Sequence, residues 1–531
     1  MPLVTRTIIA EPRAPAVSLE AAHRRFARTA AVLTMSWGAI AALYYYGRGL
    51  TLSHYDARAH LVVARRIIDS LTPGWEQIGA VWLPLPHLLN MLPVQIDALY
   101  RTGASGVAIS VASMGLAAYA IASMILYATG SRTGAALAVL LVALNPNLLY
   151  LQSTPMTEPL LFGLIAYSAW AVLRWADDPV GWRPTAGWAL IAACLTRYEA
   201  WPFIAAALTF GAVARWQQRR TIAAATGDTA RLALYPLLAV IAFVIHSRAT
   251  VGEWFVTGGF YVPDPGLQGH AIEVVRTIWW TARRLGSFTL MLSAFVAVAL
   301  SAAVAIGRER YALLVPLALL AVAALPFYAF YEGHPLRTRY MIPLVFGASV
   351  SVGLGIGLLA KRARYAAAVV VLAGVLVGVR PFDDRAPMLR EAQWDIERTR
   401  ARQAVTACLT SAREPHDSVL ISMGALAHYI QDLSKARLGI RDFLHEGNGV
   451  LWTEALAQPS KHVNWMLIDL RARIRDQLKA RAQSDPEFLR GFTQVCEAAG
   501  VALYRRDAYR PVAAEEARGP ASAGPASPQN R

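Results

Sequence analysis

Carboxylate, imidazole and guanidinium side chains gather in the segment that follows the first apolar stretch of the chain. They stand in His54-Tyr55-Asp56-Ala57-Arg58-Ala59-His60, in Arg65-Arg66, and around Trp82-Leu83-Pro84-Leu85-Pro86-His87. Such groups are costly near hydrocarbon, so a cluster of them at a membrane edge points to a functional site. Asp56 opens a helical stretch and is the kind of group that can take a proton from a hydroxyl. His60 lies one turn further on the same face, a spacing that can form a hydrogen-bonded pair or supply two ligands to a divalent metal. The plainer reading makes Asp56 a helix cap and His60 a residue packed at the headgroup level.

Further along, Glu158 in Thr154-Pro155-Met156-Thr157-Glu158-Pro159 opens an apolar helix. It can act as a second carboxylate or simply favour the helix dipole, with Thr157 as cap. Arg197 and Glu199, either side of Tyr198, occupy the next turn on the same side, where they face the site or anchor the interface. For a phosphate the candidates are Arg58, Arg65 and Arg66 with Arg337 and Arg339, because a guanidinium keeps its charge near hydrocarbon and matches phosphate oxygens with a planar fork. Snorkelling at helix ends accounts for such arginines equally well. Tyr340 follows Arg339, and Gln77, Trp82 and His87 are candidates for ligand contact, an indole face being suited to the apolar face of a sugar. Packing of a proline-bent interfacial helix is the alternative for that segment.

These residues need a scaffold, and composition names its class. Of 531 residues 56% are hydrophobic and 16% charged, and long stretches carry no charge, which marks an integral membrane protein with several spans. Spans are expected near residues 30–47, 104–128, 133–151, 158–175, 185–196, 200–214, 232–249, 287–306, 312–331, 340–360 and 365–380, about eleven in all. The fifth and sixth, joined at Arg197-Tyr198-Glu199, could instead be one interrupted helix. The first span follows His23, Arg24, Arg25 and Arg28 and lacks a small-residue cleavage site, so it reads as retained, with a cytoplasmic segment 1–28 before it. A modest excess of Lys and Arg in alternate loops then puts the Asp56 segment, loop 48–103, outside the cytoplasm. The carboxylates between residues 48 and 380 are also skewed outward. The net charge of +16 is spread over many loops, which points to lipid headgroups and phosphorylated lipids rather than nucleic acid.

After the membrane part, residues 29–380, the pattern changes. A helical stretch over 385–412 is followed by strand-length apolar runs at 418–422, 465–469 and 501–504 alternating with helical patterns such as 471–482. This predicts a small extracytoplasmic α/β domain over 381–510. Residues 511–531 are rich in Ala, Pro, Gly, Glu and Ser and read as a disordered tail. Cys194 falls in an apolar span. Cys408 and Cys496 both fall in the C-terminal region, either as a pair formed in an oxidising compartment or as two unrelated buried thiols.

The layout carries a resemblance. An N-terminal span, an outward loop opening on Asp56, the Trp82-Leu83-Pro84-Leu85-Pro86 turn, many further spans and a C-terminal extracytoplasmic domain resemble the GT-C superfamily of membrane glycosyltransferases, in particular bacterial members of the protein mannosyltransferase and lipid A aminoarabinose transferase group. The resemblance implies transfer of a hexosyl or pentosyl group from a polyprenyl-phosphate carrier to a glycan, lipid or protein acceptor, at the outer face of a bacterial plasma or inner membrane. It implies Asp56 as base, Glu158 as the second carboxylate and Arg339 with Tyr340 at the carrier, with a divalent metal as a possible cofactor. Two departures stand out. Ala57 follows Asp56 where protein mannosyltransferases have an adjacent acidic residue, and the Trp82–Pro86 run lacks the lysine of the aminoarabinose enzymes. A transporter or lipid flippase is the rival from another class, although the carboxylates here gather at one face rather than at the midplane.

Overall fold

The computed structural model describes residues 16–219, 221–256, 261–472 and 476–507. Helix α1 (Ala16–Gly47) leads into the first loop, which holds α2 (Tyr55–Arg65), α3 (Leu85–Asn90) and α4 (Asp97–Thr102). The bundle continues with α5 (Ala104–Thr129), α6 (Arg132–Ala143), α7 (Pro146–Gln152), α8 (Glu158–Asp177), α9 (Arg183–Cys194), α10 (Ala200–Arg219), α11 (Ile222–Val251), α12 (Ala271–Gly286), α13 (Phe288–Gly307), α14 (Ala324–Tyr331), α15 (Ile342–Leu358) and α16 (Lys361–Gly378).

Among the described residues seven helices are long and apolar enough to cross a bilayer, or eight when the bent pair α6 and α7 counts as one span. The expected eleven is therefore not reached by that measure. α9 has only 12 residues, about 18 Å at the helical rise, and α16 opens with Lys361, Arg362 and Arg364. α9 and α10 are separate helices with a break at residues 195–199. Small residues let the bundle close tightly: a Cβ on Gly134 of α6 would lie 2.4 Å from the carbonyl oxygen of Gly353 in α15, so these two backbones touch directly, as in other membrane helix pairs.

The expected helix over 385–412 is broken into α17 (Pro387–Ala392), α18 (Ile396–Ala401) and α19 (Gln403–Ala412). Next come β1 (Val419–Ile421), α20 (Met423–Leu433), β2 (Phe443–Leu444), β3 (Trp465–Asp469), β4 (Phe492–Ala498) and β5 (Val501–Arg506). The sheet order is β2-β1-β3-β5-β4, with β1 parallel to both β2 and β3 and β5 antiparallel to both β3 and β4. The β4–β5 turn uses Ala499 and Gly500, both at positive φ, which suits the twist of a two-residue hairpin. Cys408 and Cys496 form a disulfide, with Cα atoms 6.5 Å apart, that ties α19 to β4. The expected tail, residues 511–531, lies outside the described residues.

The first loop does not sit apart from this α/β unit. Leu61, Val62, Ala64, Val94 and Tyr100 belong to the same buried cluster as Val405, Val419, Ile421, Tyr429, Phe443 and Trp465. α2 is buried on every side from Asp56 to Ala64, as expected of a helix held between two bodies rather than lying on one.

Candidate functional site

His54, not Asp56, caps α2, since its Nδ1 accepts from the backbone N–H of Asp56 at 3.1 Å. The Asp56 carboxylate is thereby left available to other groups. It pairs with Arg339, which stands in the 3₁₀ turn Thr338–Met341 at the entrance to α15. That turn is held by Glu391 of α17, whose Oε2 accepts from the backbone N–H of Thr338 at 2.8 Å and from the Thr338 hydroxyl.

A second ion pair adjoins the first. Arg197 Nη1 lies 3.1 Å from Glu158 Oε1, and Nη2 lies 2.6 Å from Glu199 Oε1. Thr157 accepts from Arg197 through its hydroxyl at 2.8 Å instead of capping α8. Burial works against the charge on Arg197, yet Glu158 and Glu199 outweigh it and hold its pKa above the ordinary arginine value. Arg339 lies within electrostatic reach of Glu158 as well as Asp56, so the two pairs form one cluster. Three carboxylates face two guanidiniums, all at most 12% exposed. The surplus negative charge is sustained by geometry: α2, α8, α10 and α15 all begin here, and the positive ends of their dipoles favour anions. Glu158 Oε2 and Arg339 Nε are buried with no hydrogen-bond partner.

His60 points its Nδ1 at His87 Nε2, 3.1 Å away, and its ring centroid is 4.0 Å from that of Trp82. Desolvation lowers the His60 pKa far below its ordinary value and brings that of His87 to about 3, so the pair is neutral at physiological pH. His60 lies within electrostatic reach of both Arg339 and Arg197, which places the His60–Trp82–His87 stack beside the cluster. The expected metal pairing of Asp56 with His60 is not supported: Asp56 is engaged by Arg339 and His60 by His87. Among the described residues no group of three or more His, Cys, Asp and Glu side chains is placed to hold a metal ion.

Four residues expected on a carrier or sugar are committed elsewhere. Arg58 is 2% exposed and bound to Asp395 at 2.9 Å, to Thr399 at 3.0 Å and to Asp432. Arg65 bonds Asp69 and Asp97 at 2.8 and 2.7 Å. Arg66 donates to the Gln77 carbonyl at 2.7 Å. The Gln77 amide donates to the Gly447 carbonyl at 2.6 Å. For Arg58 the reason is helical phase: Asp56 and His60 share one face of α2, while Arg58, Leu61 and Val62 lie on faces turned toward the C-terminal unit. Arg337 is different. It is half-buried, has no carboxylate partner among the described residues, and stacks over Trp394 at 5.9 Å. Tyr340 bonds His334 at 3.3 Å and lies under Arg339.

Sequence reasoning missed His428 and Glu391, and it named His54 in the cluster without its role as the cap of α2. His428 comes from α20 and feels the charges of Arg58, Asp395 and Asp56, so the C-terminal unit reaches the edge of the site. Nothing local in the sequence signals this, because Arg58 and Asp56 are more than 300 residues away in the chain.

The sequence matches no protein-family model and no curated protein. Among solved structures, ArnT from Cupriavidus metallidurans in the apo state is similar, with a TM-score of 0.53 and 12% identity over 88% of this chain and 96% of that one. The same protein bound to undecaprenyl phosphate gives 0.51 and 11%, over 88% and 97%. The apo oligosaccharyltransferase of Archaeoglobus fulgidus gives 0.47 and 12%, over 83% and 69%. The chain is thus a polytopic membrane protein with the fold of ArnT.

Proposed function

We propose that this protein is a glycosyltransferase that moves a sugar from a polyprenyl-phosphate carrier to an acceptor hydroxyl at the extracytoplasmic face of the membrane. The observation that carries the reading is the joined cluster of Asp56, Glu158 and Glu199 with Arg339 and Arg197, set where four helices begin in a chain with this fold. Asp56 takes the acceptor proton as the hydroxyl attacks the anomeric carbon, and the bond to the carrier phosphate breaks. Arg339, with Arg337 beside it, stabilises the negative charge left on that phosphate. Loading the carrier loosens the Asp56–Arg339 pair and so frees the base in the same event. Glu158 and Glu199 hold Arg197 and keep the local charge balanced. A single displacement inverts the sugar. The Cys408–Cys496 pair supports placing the C-terminal unit outside the cytoplasm, where disulfides persist.

The test is transfer from a panel of radiolabelled polyprenyl-phosphate sugars to membrane extracts. Wild type should transfer from at least one donor, and Asp56→Asn should be slower by about 10²- to 10⁴-fold. Silence of the wild type across the panel contradicts the reading.

A further inference from the structure

A second charged site lies away from the cluster, at the far end of α2, where the first loop meets the C-terminal unit. A cleft of about 240 Å³ there is lined by Arg65, Arg101, Arg437 and Arg441 together with Asp69, Asp97 and Asp442. The aspartates are already engaged: Asp69 by Arg65 and Arg441, Asp97 by Arg65 and Arg101, and Asp442 by Arg413 from outside the cleft. Arg437 has no carboxylate partner among the described residues, and it holds a left-handed backbone with φ 66°. Arg101 keeps a buried Nε with no acceptor. The cleft therefore has donors to spare and no free acceptor of negative charge.

Its surroundings say which anion fits. Leu88, Leu89, Leu92 and Ile96, in the segment that runs from α3 to Asp97, form a run of apolar side chains that are 40, 48, 67 and 58% exposed. Gln95 ties this run to the cleft through the Arg65 carbonyl at 3.2 Å. α4, which carries Asp97 and Arg101, ends only two residues before α5, a bilayer-crossing helix. An apolar run beside a basic cleft at the mouth of a span has the two-part chemistry of an anionic lipid, with acyl chain on the run and phosphate in the cleft.

We propose that the cleft at the first-loop seam binds the phosphate headgroup of an anionic membrane lipid, with the Leu88–Ile96 run against its acyl chain. This rests on the membrane fold and not on the transferase reading, so either can fail alone.

The test uses the full-length protein in nanodiscs of phosphatidylcholine doped with phosphatidylglycerol, followed by native mass spectrometry of retained lipid. Wild type should retain phosphatidylglycerol in preference to phosphatidylcholine. Arg437→Gly, which removes the charge and suits the left-handed backbone, and Arg101→Gln should each lower that retention about five-fold. Leu92→Ser with Ile96→Ser should lower it too, while Arg490→Gln, an exposed change elsewhere, should not. Unaltered preference in both arginine variants, no preference in wild type, or displacement of the lipid by equimolar inorganic phosphate each overturns the proposal.

Discussion

Arg339 and Arg337 stand two residues apart and should behave oppositely when neutralised. Arg339 holds a buried carboxylate, so Arg339→Met leaves Asp56 uncompensated and should cost about 3–5 kcal/mol of stability, read as a lowered unfolding temperature. Arg337 has no such partner among the described residues. Arg337→Gln should leave the unfolding temperature unchanged and raise the donor KM about 10- to 100-fold, the worth of a hydrogen bond to a charged group. A rise in KM without loss of stability would separate phosphate binding from structural support. Asp56 and Glu158 stood out as candidates in the sequence because a carboxylate at a span entrance is costly to keep there for packing alone. The true partners of Arg58, Arg65 and Arg66 did not, since a guanidinium looks the same in a sequence whether it meets a phosphate or a protein carboxylate.

Among the elements, α2 is the one on which the site depends. Its N-terminal end presents Asp56 to Arg339, and its other faces are fixed by Arg58 on Asp395 and Asp432 and by Asp69, which is 2% exposed and holds Arg65 and Arg441. Removing one partner from such a buried network is costly: Asp69→Ala should destabilise the seam by about 3–5 kcal/mol. Faster hydrogen exchange in both α2 and α20 would report it, and a change confined to one of them would contradict the shared core. The phase of α2 shows how far sequence reaches. Periodicity put Asp56 and His60 on one face, but it could not say that the opposite face would be buried as well, because most of the residues that cover it, Val94 and Tyr100 apart, lie beyond residue 390. In the same way the strand runs at 465–469 and 501–504 were visible as apolar stretches, while β2, two residues long, and the bulged, largely exposed β4 had no such signal.

For the whole molecule, the buried histidines set a pH limit. Burial brings His54, His87, His428 and His445 to about 3 and His60 well below its ordinary value of 6.5. Their folded pKa lies below the unfolded one, so the stability they contribute is complete above pH 6.5 and is lost as the pH falls toward 3. Asp476 opposes this: burial raises it to about 6, so its contribution is present below its unfolded value and lost as the pH rises through 6. Five groups outweigh one, and the unfolding temperature in detergent should fall steadily between about pH 6.5 and 4.5. A flat profile would mean that these imidazoles are not buried as neutral groups. The membrane class and the C-terminal α/β unit were legible from hydropathy and strand-length runs. The docking of that unit onto the first loop was not, because it is made by pairs such as Arg58 with Asp432 that only the folded chain brings together.

The proposed chemistry turns on Asp56 removing the acceptor proton in a site shared with Arg339. Single-turnover sugar transfer by purified wild type and Asp56→Asn, with the donor that the panel identifies, reads that step itself. The variant should be slower by about 10²- to 10⁴-fold with donor binding retained; equal rates in the two proteins would refute the assignment of Asp56 as base.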